Sequence, residues 1–389
     1  MPRVIRSARL LGIGVLGLAL LSGCVANNPA ATHTALTVDS SATDCAVSAS
    51  EAPAGSIRFS VTNSGDQVTE FYLLAADGLR IVGEAENIGP GLSRDLVVQL
   101  DAGSYFTSCK PGMTGDGVGK AEFTVTKTDA AATVDVDLAA QIDTANTNYA
   151  SYVSDQIDQL VAGTDAFATA YLAGDDDTAR SLYASTRVHW ERVETIAESF
   201  GDLDPKLDLR EADLEEGQDW TGWHAIEKDL WPQDTEADFV AYTAEKRAAL
   251  TEQLVADTAT LHEKVEGLTF TLSQQTNGAI GLLDEVATGK VTGEEEAWSH
   301  TDLWDFQANV DGAKVLYDGV RPILLKTDAD LAASLDTEFA SLQVLLDAQR
   351  VGDGFTIYTD LTVAEIRALA DQVNALGEPL NQLTAALVL

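Results

Sequence analysis

Basic residues are scarce in this chain. Against 62 Asp and Glu stand only 24 Lys and Arg, a formal net charge of -38 over 389 residues. A surface this acidic repels nucleic-acid phosphates and gathers cations, which excludes nucleic acid as a partner. Histidine is thin as well: five are scattered along the chain. No HExxH occurs, and His224-Ala225-Ile226-Glu227 is followed by Lys228, so HxxEH fails too. Gly-x-Ser-x-Gly is also missing. A metallopeptidase needs about three protein ligands to a water-activating metal and a general base. The sequence therefore reads as a binding protein and not an enzyme. Past the first two dozen residues, no stretch is apolar enough to cross a membrane.

What is present begins with an export signal. Arg3, Arg6 and Arg9 form a positive start, and Leu10 to Leu20 form an apolar run of signal-peptide length. Leu21-Ser22-Gly23-Cys24 follows and resembles a bacterial lipobox, so residues 1–24 read as a lipoprotein signal in which cleavage before Cys24 would leave it as the lipidated first residue that anchors the chain to a membrane. Two cysteines remain, Cys45 and Cys109. In an oxidising compartment an isolated pair is most simply a disulfide.

Residues 25–42, rich in Ala, Thr, Asn and Ser, read as a flexible tether. From 43 to 128 the period is two, as in Ser56-Ile57-Arg58-Phe59-Ser60-Val61-Thr62, with Gly/Asp/Asn turns between short runs. This pattern predicts a β-sandwich. After an Ala/Asp-rich linker at 129–141 the period becomes helical, and residues 142–389 read as an all-α, up-down bundle of long helices. Expected helices include 177–200, 236–266, 295–320 and 363–386. The fold class is thus all-β followed by all-α.

The chemistry concentrates in residues 187–231. Glu191 and Glu194 are three apart, so one helix would present both on one face. His224 and Glu227 have the same spacing on the next helix, and Asp208 lies in an Asp-rich stretch between them. Facing helices that each give such a pair are a known way to build a metal site inside a bundle. Carboxylates with one imidazole suit iron, or another divalent ion such as Zn2+ or Cu2+, better than copper(I). Glu pairs at this spacing are equally common on solvated helix faces, so the pattern alone leaves a surface role open.

Several blocks carry a family resemblance. Gly222-Trp223-His224-Ala225-Ile226-Glu227 looks like the GxHxxE motif of imelysin-like domains. His189-Trp190-Glu191-Arg192-Val193-Glu194, Ala197 through Pro205, and Ser299 through Asn309 resemble the versions found in EfeO proteins. Glu86-Asn87-Ile88-Gly89-Pro90-Gly91 and Ser108 through Met113 resemble the cupredoxin-like domain of that family. The resemblance implies iron capture outside the cytoplasm, with a membrane iron permease and a haem peroxidase as partners. Carried over by position, it implies Glu191, Glu194, Asp208, His224 and Glu227 as ligands, with Glu295 as a further acid. His300 and Asp302 fit capping as well as ligation. A second metal site would use Glu70 and Glu86 of the β domain. That domain has no His beyond the tether's His33, so a blue-copper centre, which needs two His and a thiolate, is excluded. The competing readings are a zinc peptidase, a surface module for haem or polysaccharide, and a purely structural lipoprotein.

Overall fold

A computed structural model describes residues 33–389 apart from 114, 116, 128–135 and 215–216. The expected signal segment and Cys24 lie outside the described residues. Two sheets come first, formed by β1 (Thr34–Ser40), β2 (Cys45–Val47), β3 (Glu51–Pro53), β4 (Gly55–Asn63), β5 (Thr69–Leu74), β6 (Ile81–Ile88), β7 (Ser93–Leu100), β8 (Gly103–Cys109) and β9 (Val118–Thr126). One sheet has the order β2-β1-β4-β7 and the other β3-β9-β8-β5-β6. On β4 the alternation places Ile57, Phe59 and Val61 inside. Phe59 meets Phe71 and Phe123 from the opposite sheet, with ring centroids 5.3 and 5.5 Å apart. Cys45 on β2 is bonded to Cys109 on β8, so the bridge ties one sheet to the other.

One expectation fails here. The tether predicted at 25–42 contains β1, which pairs in parallel with β4 from Thr34↔Ile57 to Ser40↔Asn63. Leu36 and Val38 alternate into the core, and the intervening Thr residues suit a pleated strand. Their small, polar composition hid a period of two.

The helices are α1 (Val136–Ala173), α2 (Asp176–Glu191), α3 (Leu203–Asp208), α4 (Gly222–Leu230), α5 (Ala244–Val265), α6 (Leu272–Thr288), α7 (Asp302–Thr327), α8 (Ala329–Asp347), α9 (Val363–Leu380) and α10 (Leu383–Val388), with a short hairpin of β10 (Arg350–Val351) and β11 (Gly354–Phe355) between α8 and α9. Tyr149, Val153, Ile157, Leu160, Phe167 and Tyr171 of α1 recur at three- and four-residue spacing and are buried in one helical core. Among the described residues no helix is long and apolar enough to cross a membrane.

The predicted helix at 177–200 is broken. α2 ends at Glu191, and a 3-10 segment, Glu194–Phe200, precedes α3. At this break the chain runs hard against two glycines: a Cβ on Gly312 would strike the Arg192 carbonyl, and one on Gly278 the Thr195 carbonyl. α7 and α6 therefore seat the backbone at Arg192 and Thr195. Glu191 and Glu194 leave from the end of one helix and the start of a tighter one, not from a single face. Asp208 is likewise the last residue of α3 and not part of a loop. The β domain rests on α6: Asn277 donates to the Val97 carbonyl at 2.8 Å, Ser273 accepts from the Gln99 N–H at 3.1 Å, and Arg94 pairs with Asp284.

Candidate metal centre

α2, α3, α4, α7 and the 289–301 connection converge on a buried cluster of charges. At its centre is Arg187 of α2, which has no exposed surface. Its guanidinium pairs with Asp208, lies 2.7 Å from Glu191 Oε1 and 2.6 Å from Glu296 Oε1, and has Glu295 and Asp305 each at 3.8 Å. Lys290 is buried beside it. Its ammonium stands 2.9 Å from Glu191 Oε2, 2.6 Å from Glu194 Oε2 and 3.7 Å from Glu295 Oε1. Asn309 of α7 donates to the same two acids, at 3.0 Å to Glu191 Oε2 and 2.8 Å to Glu194 Oε2.

The third positive centre is His224 on α4. Its Nδ1 is 3.1 Å from Glu227 Oε2. The other Glu227 oxygen accepts the backbone N–H groups of Trp298 and Ser299 at 2.9 and 2.7 Å. Glu227 therefore fixes the ring and ties α4 to the 295–299 turn. The ring's Nε2 faces Asp208 Oδ1 at 3.4 Å and Glu295 Oε1 at 3.7 Å, and is buried without a well-formed hydrogen bond. An ion about 2.1 Å from each of three ligands holds them roughly 3.0 to 3.4 Å apart, depending on geometry. His224 Nε2 already stands near that spacing from Asp208 and Glu295, and all three ligand atoms lie within 4.8 Å of one another.

The protonation states follow from this crowding. Burial and Arg187 both push His224 down, but Asp208, Glu227 and Glu295 outweigh them and hold the imidazole well above its ordinary value. Burial would raise Asp208, yet Arg187 and His224 keep it below the usual carboxylate range. Glu295 is lowered in the same way against burial, chiefly by Lys290 and His224. Glu194 moves the other way: burial and neighbouring Glu191 raise it despite Lys290. Burial, helped by Glu227, pushes Glu296 up to about 8, and burial pushes Asp302 up to about 7.

The structure brings Glu191, Glu194, Asp208, His224, Glu227 and Glu295 into one place, in three overlapping triads whose ligand atoms lie within 4.8 Å: Asp208/His224/Glu295, His224/Glu227/Glu296 and Glu191/Glu194/Asp208. Glu70 and Glu86 enter no such triad among the described residues. Glu70 is buried in its own sheet and accepts from Tyr72. Glu86 instead faces α6, where its Oε2 would lie 3.4 Å from a Cβ on Gly281. It lines a cleft of about 290 Å³ together with Glu84, Glu194, Asp208, Glu285 and Glu295, so one strand of the β domain borders the helical site. Asp302 begins α7 and accepts the Glu296 N–H at 3.1 Å, which ties the turn before the helix to its first residue. His300 is half-buried, with a left-handed backbone, and belongs to none of the triads.

Sequence reasoning missed Arg187, Lys290, Asp305 and Asn309. Asp302, Asp305 and Asn309 sit three and four apart, which places them on one face of α7, and that spacing was available as a signal. Nothing local distinguishes Lys290 from a surface lysine.

A family model described as Peptidase_M75, Imelysin, matches residues 145–383. The iron uptake system component EfeO of Escherichia coli (strain K12) is 38% identical over 338 residues, spanning 86% of this chain and 86% of that protein. EfeO of Shigella flexneri matches to the same extent. The chain thus belongs to the imelysin family and, by identity along most of its length, to the EfeO family.

Proposed function

We propose that this chain is an extracytoplasmic iron-binding lipoprotein of an iron uptake system, anchored through Cys24, which captures iron at the buried cluster and passes it to a membrane permease, with a haem peroxidase as the third component. The observation that carries the reading is His224 Nε2: a buried ring nitrogen, oriented by Glu227, facing Asp208 and Glu295 at 3.4 and 3.7 Å with no good hydrogen bond of its own. Asp208, His224 and Glu295 are the ligands in this reading. Glu227 acts through His224, as carboxylates behind metal-bound imidazoles commonly do. Two carboxylates and an imidazole accept iron, and would accept Zn2+ or Cu2+ as well. The acidic cleft bordered by Glu84 and Glu86 is the way in for a cation, and the net charge of -38 draws cations towards the protein generally.

The experiment is an anaerobic ferrous and a chelated ferric titration of the purified protein, beside the His224→Ala and Glu295→Gln variants. Saturable binding that weakens at least tenfold in both variants, with circular dichroism unchanged, supports the reading. Binding untouched by both variants removes the metal from this site.

A further inference from the structure

The six acids and imidazole of the cluster do not form one open basin. Around His224 a ring nitrogen lacks a hydrogen bond, whereas both carboxylate oxygens of Glu191 and Oε2 of Glu194 already accept from buried donors. Glu191 Oε1 takes Arg187 at 2.7 Å, and Glu191 Oε2 takes Lys290 at 2.9 Å and Asn309 at 3.0 Å. Glu194 Oε2 takes Lys290 at 2.6 Å and Asn309 at 2.8 Å. The ammonium is 1% exposed and has two carboxylates in direct contact and a third, Glu295, at 3.7 Å. That is the environment a hard cation would occupy. The Asn309 amide at the same spot carries a fully buried Oδ1 with no hydrogen-bond partner, an oxygen of the kind such a cation accepts as a ligand.

We propose that Lys290 is a built-in cation occupying a second metal subsite formed by Glu191, Glu194 and Asn309, so that the native chain holds one metal ion at Asp208/His224/Glu295 and Lys290 keeps the neighbouring subsite closed. Lys290 is thus a positioning residue that fixes the stoichiometry. A second positive ion would have to displace a tethered ammonium that leaves no vacancy behind, and it would sit beside Arg187 as well. With Lys290 neutralised, Glu194 loses its ammonium partner and Glu191 one of its two cations, a buried deficit that an external cation can fill. Rotation of the Asn309 amide would then turn Oδ1 towards the ion in place of Nδ2. The inference rests on the metal-capture reading of His224 but is tested apart from it.

The test is calorimetric titration with zinc(II), a probe without redox chemistry, of native protein, Lys290→Met and Lys290→Arg. The expected result is one ion in the native protein and in Lys290→Arg, and two in Lys290→Met, with the first ion's affinity within a few-fold of native. One ion in Lys290→Met overturns the proposal, as do two ions in the native protein. Loss of the first ion in His224→Ala concerns the capture site alone, so failure of that reading is seen separately. If Lys290→Met does not fold, native crystals soaked in zinc decide the matter by anomalous scattering. A single peak among Asp208, His224 and Glu295, with Lys290 still against Glu191 and Glu194, supports the proposal. A peak between Glu191 and Glu194 with the lysine displaced overturns it.

Discussion

Arg187 Nε lies 2.6 Å from Glu296 Oε1, and neither side chain has any exposed surface. The pair is the hub of the cluster, because the same guanidinium also neutralises Asp208 and Glu191. Removing one partner of a buried pair leaves the other charge uncompensated, at a cost of about 3–5 kcal/mol. Arg187→Met is therefore expected to lower the stability of the helical domain by at least that amount, because several acids lose their partner together. Urea unfolding followed by tryptophan fluorescence measures it. A loss under about 1 kcal/mol would show that the acids simply take up protons and that Arg187 does not hold the site together.

Rising pH acts in opposite directions on metal affinity and on the stability of the empty protein. His224 is held well above its ordinary value, so in the empty site it carries a proton at neutral pH that Nε2 must release before binding a metal. Affinity should rise with pH with a slope of about one decade per unit until His224 is deprotonated. Titration in buffers of different ionisation enthalpy should show about one proton released. The empty protein behaves inversely. His224, Glu296 (about 8) and Asp302 (about 7) all bind protons more tightly folded than unfolded. Their contribution is complete below their unfolded values and is lost as pH rises through the folded ones. Metal-free protein should thus lose on the order of a few kcal/mol between pH 6 and 9. Metal-loaded protein should lose less. Parallel stability curves for the two forms would contradict the assignment.

How much of this was legible in the sequence depends on the scale of the signal. Ile57, Phe59 and Val61 announce their strand through a period of two, and Tyr149 to Tyr171 announce a helix through a period of nearly four, since each buries one face. Of the six candidate ligands, only His224 and Glu227 share a helix, a turn apart on α4 as their spacing implies; Glu191, Glu194, Asp208 and Glu295 come from separate elements that tertiary packing brings together. What remained hidden is either compositional or tertiary. The run at 34–40 looked like a tether because only Leu36 and Val38 mark its period of two, and its pairing with the distant β4 gives no local signal. The break after Glu191 depends on Gly278 and Gly312, which are distant in sequence and give no local stop signal at 192. Lys290 and Arg187 were invisible as site residues because a cation's burial is decided by the acids that surround it.

The cleft that reaches the cluster is bordered on one side by Glu84 and Glu86 of β6 and on the other by Glu285 of α6. Carboxylates at such a mouth raise the local cation concentration and so act on association more than on dissociation. The Glu84→Gln/Glu86→Gln variant should slow metal association by about 3- to 10-fold at low ionic strength, with the difference shrinking as salt screens the charges. Stopped-flow measurement at about 10 mM and 500 mM salt tests this. An equal loss at both salt concentrations would point to direct ligation by these acids, and no loss would show that cations enter elsewhere, for instance past Trp298, where a second cavity touches His224.

Gly222 joins the fold to the site most directly. It opens α4 with φ +86°, a conformation that glycine adopts freely and other residues resist. Any Cβ there would collide with the Leu207 carbonyl and come within 2.7 Å of the Lys206 carbonyl. Leu207 precedes Asp208, and Gly222 lies two residues before His224, so this close approach sets the 3.4 Å separation of Asp208 and His224. Gly222→Ala must both strain the backbone and push α3 from α4. The expected loss is about 2–4 kcal/mol of stability, the strain of a left-handed residue plus a displaced helix end, and at least a tenfold drop in metal affinity. Gly217 supplies the control: it has the same φ of +86°, but among the described residues no atom lies within 4 Å of the position of its Cβ. Gly217→Ala should cost only about 1–2 kcal/mol and leave metal binding intact. If both variants lose affinity alike, strain in the 209–221 segment is responsible. A loss confined to Gly222→Ala locates the effect in the helix contact that brings the aspartate to the histidine.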